Sequence, residues 1–287
     1  MIKHLISIDQ YDKNSLENFF ISVNNEKYGF RYQNFTTKKQ IATLFYEPST
    51  RTSASFHSAA IQLGYSVLPI NEVTYSSVTK GETLEDTIRT IGSYVDLIVL
   101  RHGEKGASKK AASVSQVPII NAGDGIGEHP TQTLLDLYTI WKEKLNIDGL
   151  NITLMGDLKN GRTIHSLIKV LRLFNVHINL ISPPSLKLPD KYLKSTDCES
   201  NQFAPYADTT DVLYVTRVQK ERGSKEDYKL SLSELNQLPK TSIVLHPLPR
   251  RNELPVAFDN DPRAKYFEQI KNGLLVRKVL LRELLLT

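Results

Sequence analysis

The stretch I41-A-T-L-F-Y-E-P-S-T-R-T-S-A-S-F-H-S-A-A-I-Q-L-G64 sets out the architecture in miniature. An apolar run of strand length, Ile41 to Phe45, hands over to a segment of helical spacing, Ser53 to Leu63, which Gly64 stops. Strand, short turn, helix is the repeating unit of an α/β fold. The turn itself, F45-Y-E-P-S-T-R-T52, crowds three hydroxyls and an arginine where the helix begins. Capping a helix needs one hydroxyl and no arginine. Unpaired backbone N–H groups, the positive end of the macrodipole and small hydroxylated side chains together make an anion site. The octet therefore reads as a phosphate cradle.

The same unit repeats outward. Apolar runs at Ser66–Ile70, Leu97–Leu100, Pro118–Asn121, Ile152–Met155, His177–Ile181, Val212–Val215 and Ile243–Leu245 predict further strands. Helical spacing falls at 15–21, 84–92, 131–145, 163–174, 232–237 and 262–271, and the apolar tail Leu274–Leu286 reads as an amphipathic closing helix. Alternation of this kind predicts α/β layering with mainly parallel sheets. Within 131–145, Leu134, Tyr138, Trp141 and Leu145 share one stripe, which predicts an amphipathic helix, and Pro130 suits its first turn. N-I-D-G-L-N then reads as a turn, with a new α/β unit starting at Ile152. The domain boundary falls along or just after that long helix.

The totals narrow the function classes. At 287 residues the chain is long enough for two domains. Its charge of +5 is spread rather than clustered, with no basic stripe interleaved with aromatics. Nucleic acid is therefore not the expected partner, while small anionic substrates suit the excess. The one cysteine, Cys198, excludes an internal disulfide and a CxxC metal site, which fits a reducing cytoplasm. No segment reads as a membrane span, since Arg277, Lys278, Arg282 and Glu283 break the apolar tail.

Several other stretches carry chemistry. G123-D-G-I-G-E-H-P-T-Q132 is a glycine-rich loop delivering His129 and Gln132 to a helix start, where the dipole favours neutral imidazole. A His that merely caps or packs is the alternative; the spacing of three residues puts the two on one side of a turn. G156-D-L-K-N-G-R-T163 resembles a P-loop except that arginine replaces lysine, and no later strand offers a magnesium-binding acid. Arg162 is better read as a carboxylate or phosphate clamp. V215-T-R-V-Q-K-E-R222 offers Arg217, Gln219 and Arg222 in alternation after a strand. S76-S-V-T-K-G-E-T83 has the composition of a substrate-covering loop. In H246-P-L-P-R250, two prolines hold backbone carbonyls in a set direction. No two-His metal spacing or dinucleotide fingerprint appears, so no metal or cofactor is expected. Arginines, hydroxyls, His and Gln gather at strand ends, where open α/β sheets bind ligands. A pair of anions meeting between two domains fits best.

Taken in order, F-x-E-x-S-T-R-T, S-S-V-T-K-G-E-T, R101-H, G-D-G-x-G-x-H-P-T-Q-T-L-L-D, G-D-L-x-x-G-R-T-x-H-S-L, T-R-V-Q-K-E-R and H-P-L-P-R resemble the aspartate and ornithine carbamoyltransferases over nearly the whole chain. The aspartate branch is the closer likeness. Ornithine enzymes carry S-M-G where this chain has T216-R-V-Q219, and cysteine where it has Pro247. Arg217 suits a substrate with a second carboxylate and not a cationic tail.

The resemblance implies two three-layer αβα domains joined by long helices: 1–145, with a C-terminal helix at about 272–287 returning to it, binds carbamoyl phosphate, and 146–271 binds L-aspartate. It implies that Ser49, Thr50, Arg51 and Thr52 hold the phosphate and that Arg101 contacts phosphate and carbonyl oxygen. Thr52, Arg101 and His129 would polarise the carbonyl, and Gln132 would bind the carbamoyl NH2. Arg162, Arg217, Gln219 and Lys80 would hold aspartate, while the carbonyls of Leu248 and Pro249 orient the amine and the carbamoyl group. Ser76 and Lys80 would reach a neighbouring subunit of a homotrimer, and Glu47 would bridge the domains to Arg162 and Arg222. The expected activity is carbamoyl transfer to the α-amino group of L-aspartate, in pyrimidine synthesis. A carbamoyltransferase for another amine and a non-catalytic homologue are the alternatives. Whether a separate regulatory chain attaches stays open.

Overall fold

The computed structural model describes residues 3–28, 38–71, 81–219 and 228–286. The chain forms two compact units, Met1–Leu135 with Asn272–Thr287, and Asp136–Lys271.

In the first unit, α1 (Lys13–Lys27) opens on a capping box between Asp12 and Ser15 and buries Leu16, Phe19, Phe20 and Val23, the three-and-four spacing of one helix face. There follow β1 (Gln40–Phe45), α2 (Thr50–Gln62), β2 (Ser66–Asn71), α3 (Leu84–Gly92), β3 (Leu97–His102), α4 (Ala107–Val114) and β4 (Ile119–Asp124). The strands pair in the order β2-β1-β3-β4, all parallel. Buried on both faces, β1, β3 and β4 are near-continuous apolar runs. Such strands need crossover helices, and α2 serves by burying Thr52, Phe56, Ala59 and Ala60. It ends at Gly64, whose φ of 78° closes the last turn without a Cβ clash.

After α5 (Pro130–Lys144) the second unit continues with β5 (Asn151–Met155), α6 (Arg162–Leu171), β6 (His177–Ile181), β7 (Cys198–Ser200), α7 (Ala204–Ala207), β8 (Val212–Val215), α8 (Leu232–Leu235) and β9 (Ile243–Leu245). Its five strands run parallel in the order β7-β6-β5-β8-β9. The last helix is α9 (Tyr266–Leu285). Beyond residue 271 it packs within the first unit: Lys278 and Arg282 both pair with Glu26, and the Arg277 guanidinium lies over the Phe56 ring at 5.2 Å.

The eight expected strands are present, and four expectations need correction. The 131–145 helix is not amphipathic. Apart from Gln132, residues 131–140 are buried, including Thr131, Thr133, Asp136 and Thr139, and Leu145 lies beyond the helix, exposed and at a φ of 63°. Its polar side chains are short, so they were misread as a solvent face. The segments 262–271 and 274–286 belong to one helix that starts only at Tyr266, because Arg263 is held in a turn by Asp261. The 232–237 helix stops at Leu235. Finally, α4, α7 and β7 were not anticipated. The buried face of α4 is Ala107, Ser108 and Ala111, too small to register as apolar periodicity.

Candidate functional site

In the first unit, three neighbouring strands bring their C-terminal ends together. Phe45 of β1 is in register with Arg101 of β3, and the Tyr46 N–H donates to the Arg101 carbonyl at 2.8 Å. The turn after β1 therefore lies beside Arg101. Ser49 is the N-cap of α2, yet its side chain makes no capping hydrogen bond. Thr50 and Arg51 are exposed in the first turn, and Thr52 is buried. Arg101 donates through Nη1 to the Ala122 carbonyl at 3.2 Å and pairs through Nη2 with Glu47 at 3.4 Å. Glu47, expected to reach Arg162 and Arg222, is thus seen with a partner in its own unit.

The third strand end is β4, leading through the glycine-rich loop to α5. Asp124 organises that loop, accepting from the Glu128 N–H at 2.6 Å and from the Gly106 N–H at 2.9 Å. Gly125 sits at a φ of 54° with its Cα against the Gly103 carbonyl, so any Cβ would overlap that oxygen. Glu128 is held in turn by the Ser7 hydroxyl and the Ile8 N–H, each at 3.0 Å. The result is a buried His129 immediately before α5. Its carbonyl accepts the Gln132 N–H at 3.0 Å, and its Nδ1 is 3.3 Å from the Thr131 hydroxyl. With that hydroxyl donating to Nδ1, the neutral ring keeps its proton on Nε2.

The second unit repeats the pattern at β5, β8 and β9, which are adjacent in its sheet. Arg162 is the first residue of α6, after β5; Arg217 and Gln219 follow β8; Leu248 and Pro249 follow β9. Gly156, at a φ of 120°, lets the β5 end approach the Thr216 carbonyl, where a Cβ would collide. One residue on, buried Asp157 accepts from the Asn160 N–H at 2.9 Å, from Asn160 Nδ2 at 3.1 Å, and from the Gln219 N–H at 3.1 Å. Gln219 Nε2 returns a bond to the Asn160 carbonyl at 3.0 Å. The segments bearing Arg162 and Arg217 are thereby tied together. Leu248 has a φ of 52°, and the Leu248–Pro249 bond is cis. Arg250 forks onto Asp259, which also accepts from Tyr266.

Ser76, Lys80 and Arg222 lie outside the described residues. Sequence reasoning missed Asp157 as a tie, because its partner Gln219 lies 62 residues away and meets it only in the folded chain. It also missed His246 and Glu253; nothing in R250-R-N-E253 marks that acid. Among the described residues, no group of three or more His, Cys, Asp or Glu is placed to hold a metal ion, and no helix is long and apolar enough to cross a membrane.

Two family models match in succession: the carbamoyl-P binding domain of aspartate/ornithine carbamoyltransferase over residues 3–142, and the Asp/Orn binding domain over 148–284. The aspartate carbamoyltransferase catalytic subunit of Thermoplasma acidophilum is 49% identical over 258 residues, 85% of either chain. The multifunctional protein CAD of Squalus acanthias is 43% identical over 99% of this chain, which spans 13% of that protein's length. Aspartate transcarbamoylase from Trypanosoma cruzi, solved in complex with carbamoyl aspartate and phosphate, superposes with a TM-score of 0.90 at 38% identity, over 97% of this chain and 94% of that one. The chain belongs to the aspartate/ornithine carbamoyltransferase family.

Proposed function

We propose that the protein transfers the carbamoyl group of carbamoyl phosphate to the α-amino group of L-aspartate, giving N-carbamoyl-L-aspartate and phosphate for pyrimidine synthesis. The observation that carries this reading is the start of α2. A Ser49 hydroxyl not spent on capping, Thr50, Arg51 and Thr52 in the first turn, and Arg101 in register with Phe45 just before that turn are the donors a phosphate would take. The relatives' names and the product complex of the Trypanosoma cruzi enzyme supply the reaction.

In this reading Ser49 to Thr52 hold the phosphate, and Thr52, Arg101 and His129 polarise the carbamoyl oxygen. With the Thr131 hydroxyl donating to its Nδ1, 3.3 Å away, a neutral His129 would carry its proton on Nε2 as the donor to that oxygen. Gln132 takes the carbamoyl NH2. Arg162 and Arg217, with Gln219 and Lys80, neutralise the two carboxylates of aspartate. The carbonyls of Leu248 and Pro249 accept from the attacking amine and the carbamoyl NH2. Attack gives a tetrahedral intermediate, which expels phosphate, and the leaving phosphate takes the amine proton. No covalent enzyme intermediate is needed. Holding two mutually repelling reactants in attack geometry supplies roughly 7–11 kcal/mol of effective concentration, and each oxyanion donor roughly 3–4 kcal/mol.

The protein acts, in the same reading, as a cytoplasmic homotrimer in which Ser76 and Lys80 complete a neighbour's site and Glu47 pairs with Arg162 and Arg222 when substrates are bound. The test is phosphate release with carbamoyl phosphate and a panel of amines. Aspartate alone should give turnover; release with ornithine instead, or with neither, overturns the assignment. Light scattering should give a trimer mass.

A further inference from the structure

The turn after β9 is held by a buried chain of hydrogen bonds. His246 is 1% exposed and Glu253 4%. The Leu248 N–H donates to His246 Nδ1 at 2.8 Å, and His246 Nε2 is 2.8 Å from Glu253 Oε1. An N–H must meet a lone pair, so Nδ1 carries no proton. The neutral ring is then protonated on Nε2 and donates to the carboxylate. Glu253 Oε1 also accepts the Arg251 N–H at 3.0 Å, and the His246 N–H donates to Gln269 Oε1 at 3.0 Å. Leu248 needs such a tether. A left-handed φ on a residue with a Cβ is strained and persists only where the surroundings impose it.

We infer that Glu253, acting through His246, is a positioning residue: it fixes the imidazole tautomer that grips the Leu248 amide and so sets the direction of the Leu248 and Pro249 carbonyls toward the attacking amine. The inference rests on the proposed carbamoyl transfer. The electrostatics agree with it. Burial lowers the His246 pKa and the Arg250 and Arg217 charges lower it further, outweighing Glu253. Burial alone would raise the Glu253 pKa, but the His246 hydrogen bond and the backbone N–H donors hold it below the ordinary value. A neutral ring against a carboxylate follows.

The test compares Glu253→Gln, Glu253→Leu and His246→Asn in the full chain. Gln keeps an Oε1 that accepts both the Nε2–H and the Arg251 N–H, so kcat should stay within about threefold. Leu fills the volume without an acceptor; a small misplacement of reacting groups can cost about 10²-fold, so kcat should fall about 10- to 100-fold. Succinate, aspartate without its amine, does not use these carbonyls, and its inhibition constant should move less than about threefold. Asn retains an acceptor for the Leu248 N–H but cannot reach Glu253. Adding Glu253→Leu to His246→Asn should therefore cost nothing more, a non-additivity that marks one shared path. The ¹⁵N spectrum of the wild-type imidazole should show Nδ1 bare and Nε2 protonated. The inference is overturned by an unimpaired Glu253→Leu enzyme, by succinate affinity falling in step with kcat, by full additivity, or by a protonated Nδ1. A wild-type protein without turnover overturns the functional reading first, and the spectrum still reports the tether.

Discussion

Replacing Asp157 with alanine probes the joint between the two arginine-bearing segments. The side chain accepts from two backbone N–H groups, those of Asn160 and Gln219, and from the Asn160 amide, all in a buried setting. Leaving a buried donor unsatisfied costs about 1–3 kcal/mol, so the two N–H groups together oppose the native arrangement by about 2–6 kcal/mol. The segments relax apart rather than bear that cost, and the guanidinium groups of Arg162 and Arg217 lose their common frame. Losing one charge-assisted contact to aspartate, about 1.5–3 kcal/mol, corresponds to a rise of roughly 10- to 150-fold in half-saturating aspartate. Carbamoyl phosphate binding, which we have proposed for Ser49 to Thr52 in the other unit, should be unchanged. Aspartate saturation at fixed excess carbamoyl phosphate measures the first quantity, and calorimetry with carbamoyl phosphate alone the second. Unaltered aspartate saturation, or equal weakening of both ligands, refutes the joint.

His129→Ala should lower kcat by about 10²- to 10³-fold with little change in carbamoyl phosphate affinity, the signature of a lost oxyanion donor; rapid-quench turnover beside calorimetry checks it. Arg217→Ala should raise half-saturating aspartate about 10- to 150-fold without creating activity toward ornithine, as a phosphate-release assay will show. Gly125→Ala should destabilise by about 1–3 kcal/mol, read from urea unfolding, because its Cβ meets the Gly103 carbonyl. Acid should weaken the fold in two stages. With the folded His246 pKa below its ordinary 6.5, the unfolded chain binds the extra proton, so stability falls as pH drops through 6.5. With the folded Glu253 pKa below its ordinary 4.5, a second loss follows as pH drops below 4.5. Urea midpoints across this range measure both, and Glu253→Gln should shrink the second without abolishing it, because Asp96, Asp259, Asp261 and Glu268 are also held below their ordinary pKa values.

The parallel strands were legible because burial on both faces leaves a near-continuous apolar run, as in Ile41–Phe45 and Val212–Val215. The strand-to-helix turn at S49-T-R-T52 was legible because the apolar run stops at Phe45 and helical spacing follows. Helix α4 escaped notice since alanine and serine form its buried side, and α5 was misjudged since threonine and aspartate are buried there beside leucine. Asp136 is a case in point: it accepts from Tyr214 at 2.7 Å and from Gln269 at 2.5 Å, partners 78 and 133 residues away. Glu253 was invisible for the same kind of reason. Its bond to His246 forms only when the turn after β9 folds and brings the two side chains face to face.

The return of α9 to Glu26 bears on how the polypeptide is made. Residues 136–271 are contiguous and hold everything their sheet requires once Lys271 clears the ribosome. The first unit lacks Val276, Val279, Leu280, Leu281 and Leu284, all buried, until the residues beyond 271 have followed. The half that emerges earliest is therefore the half completed last, and a nascent chain stalled near residue 271 would expose the groove that α9 fills.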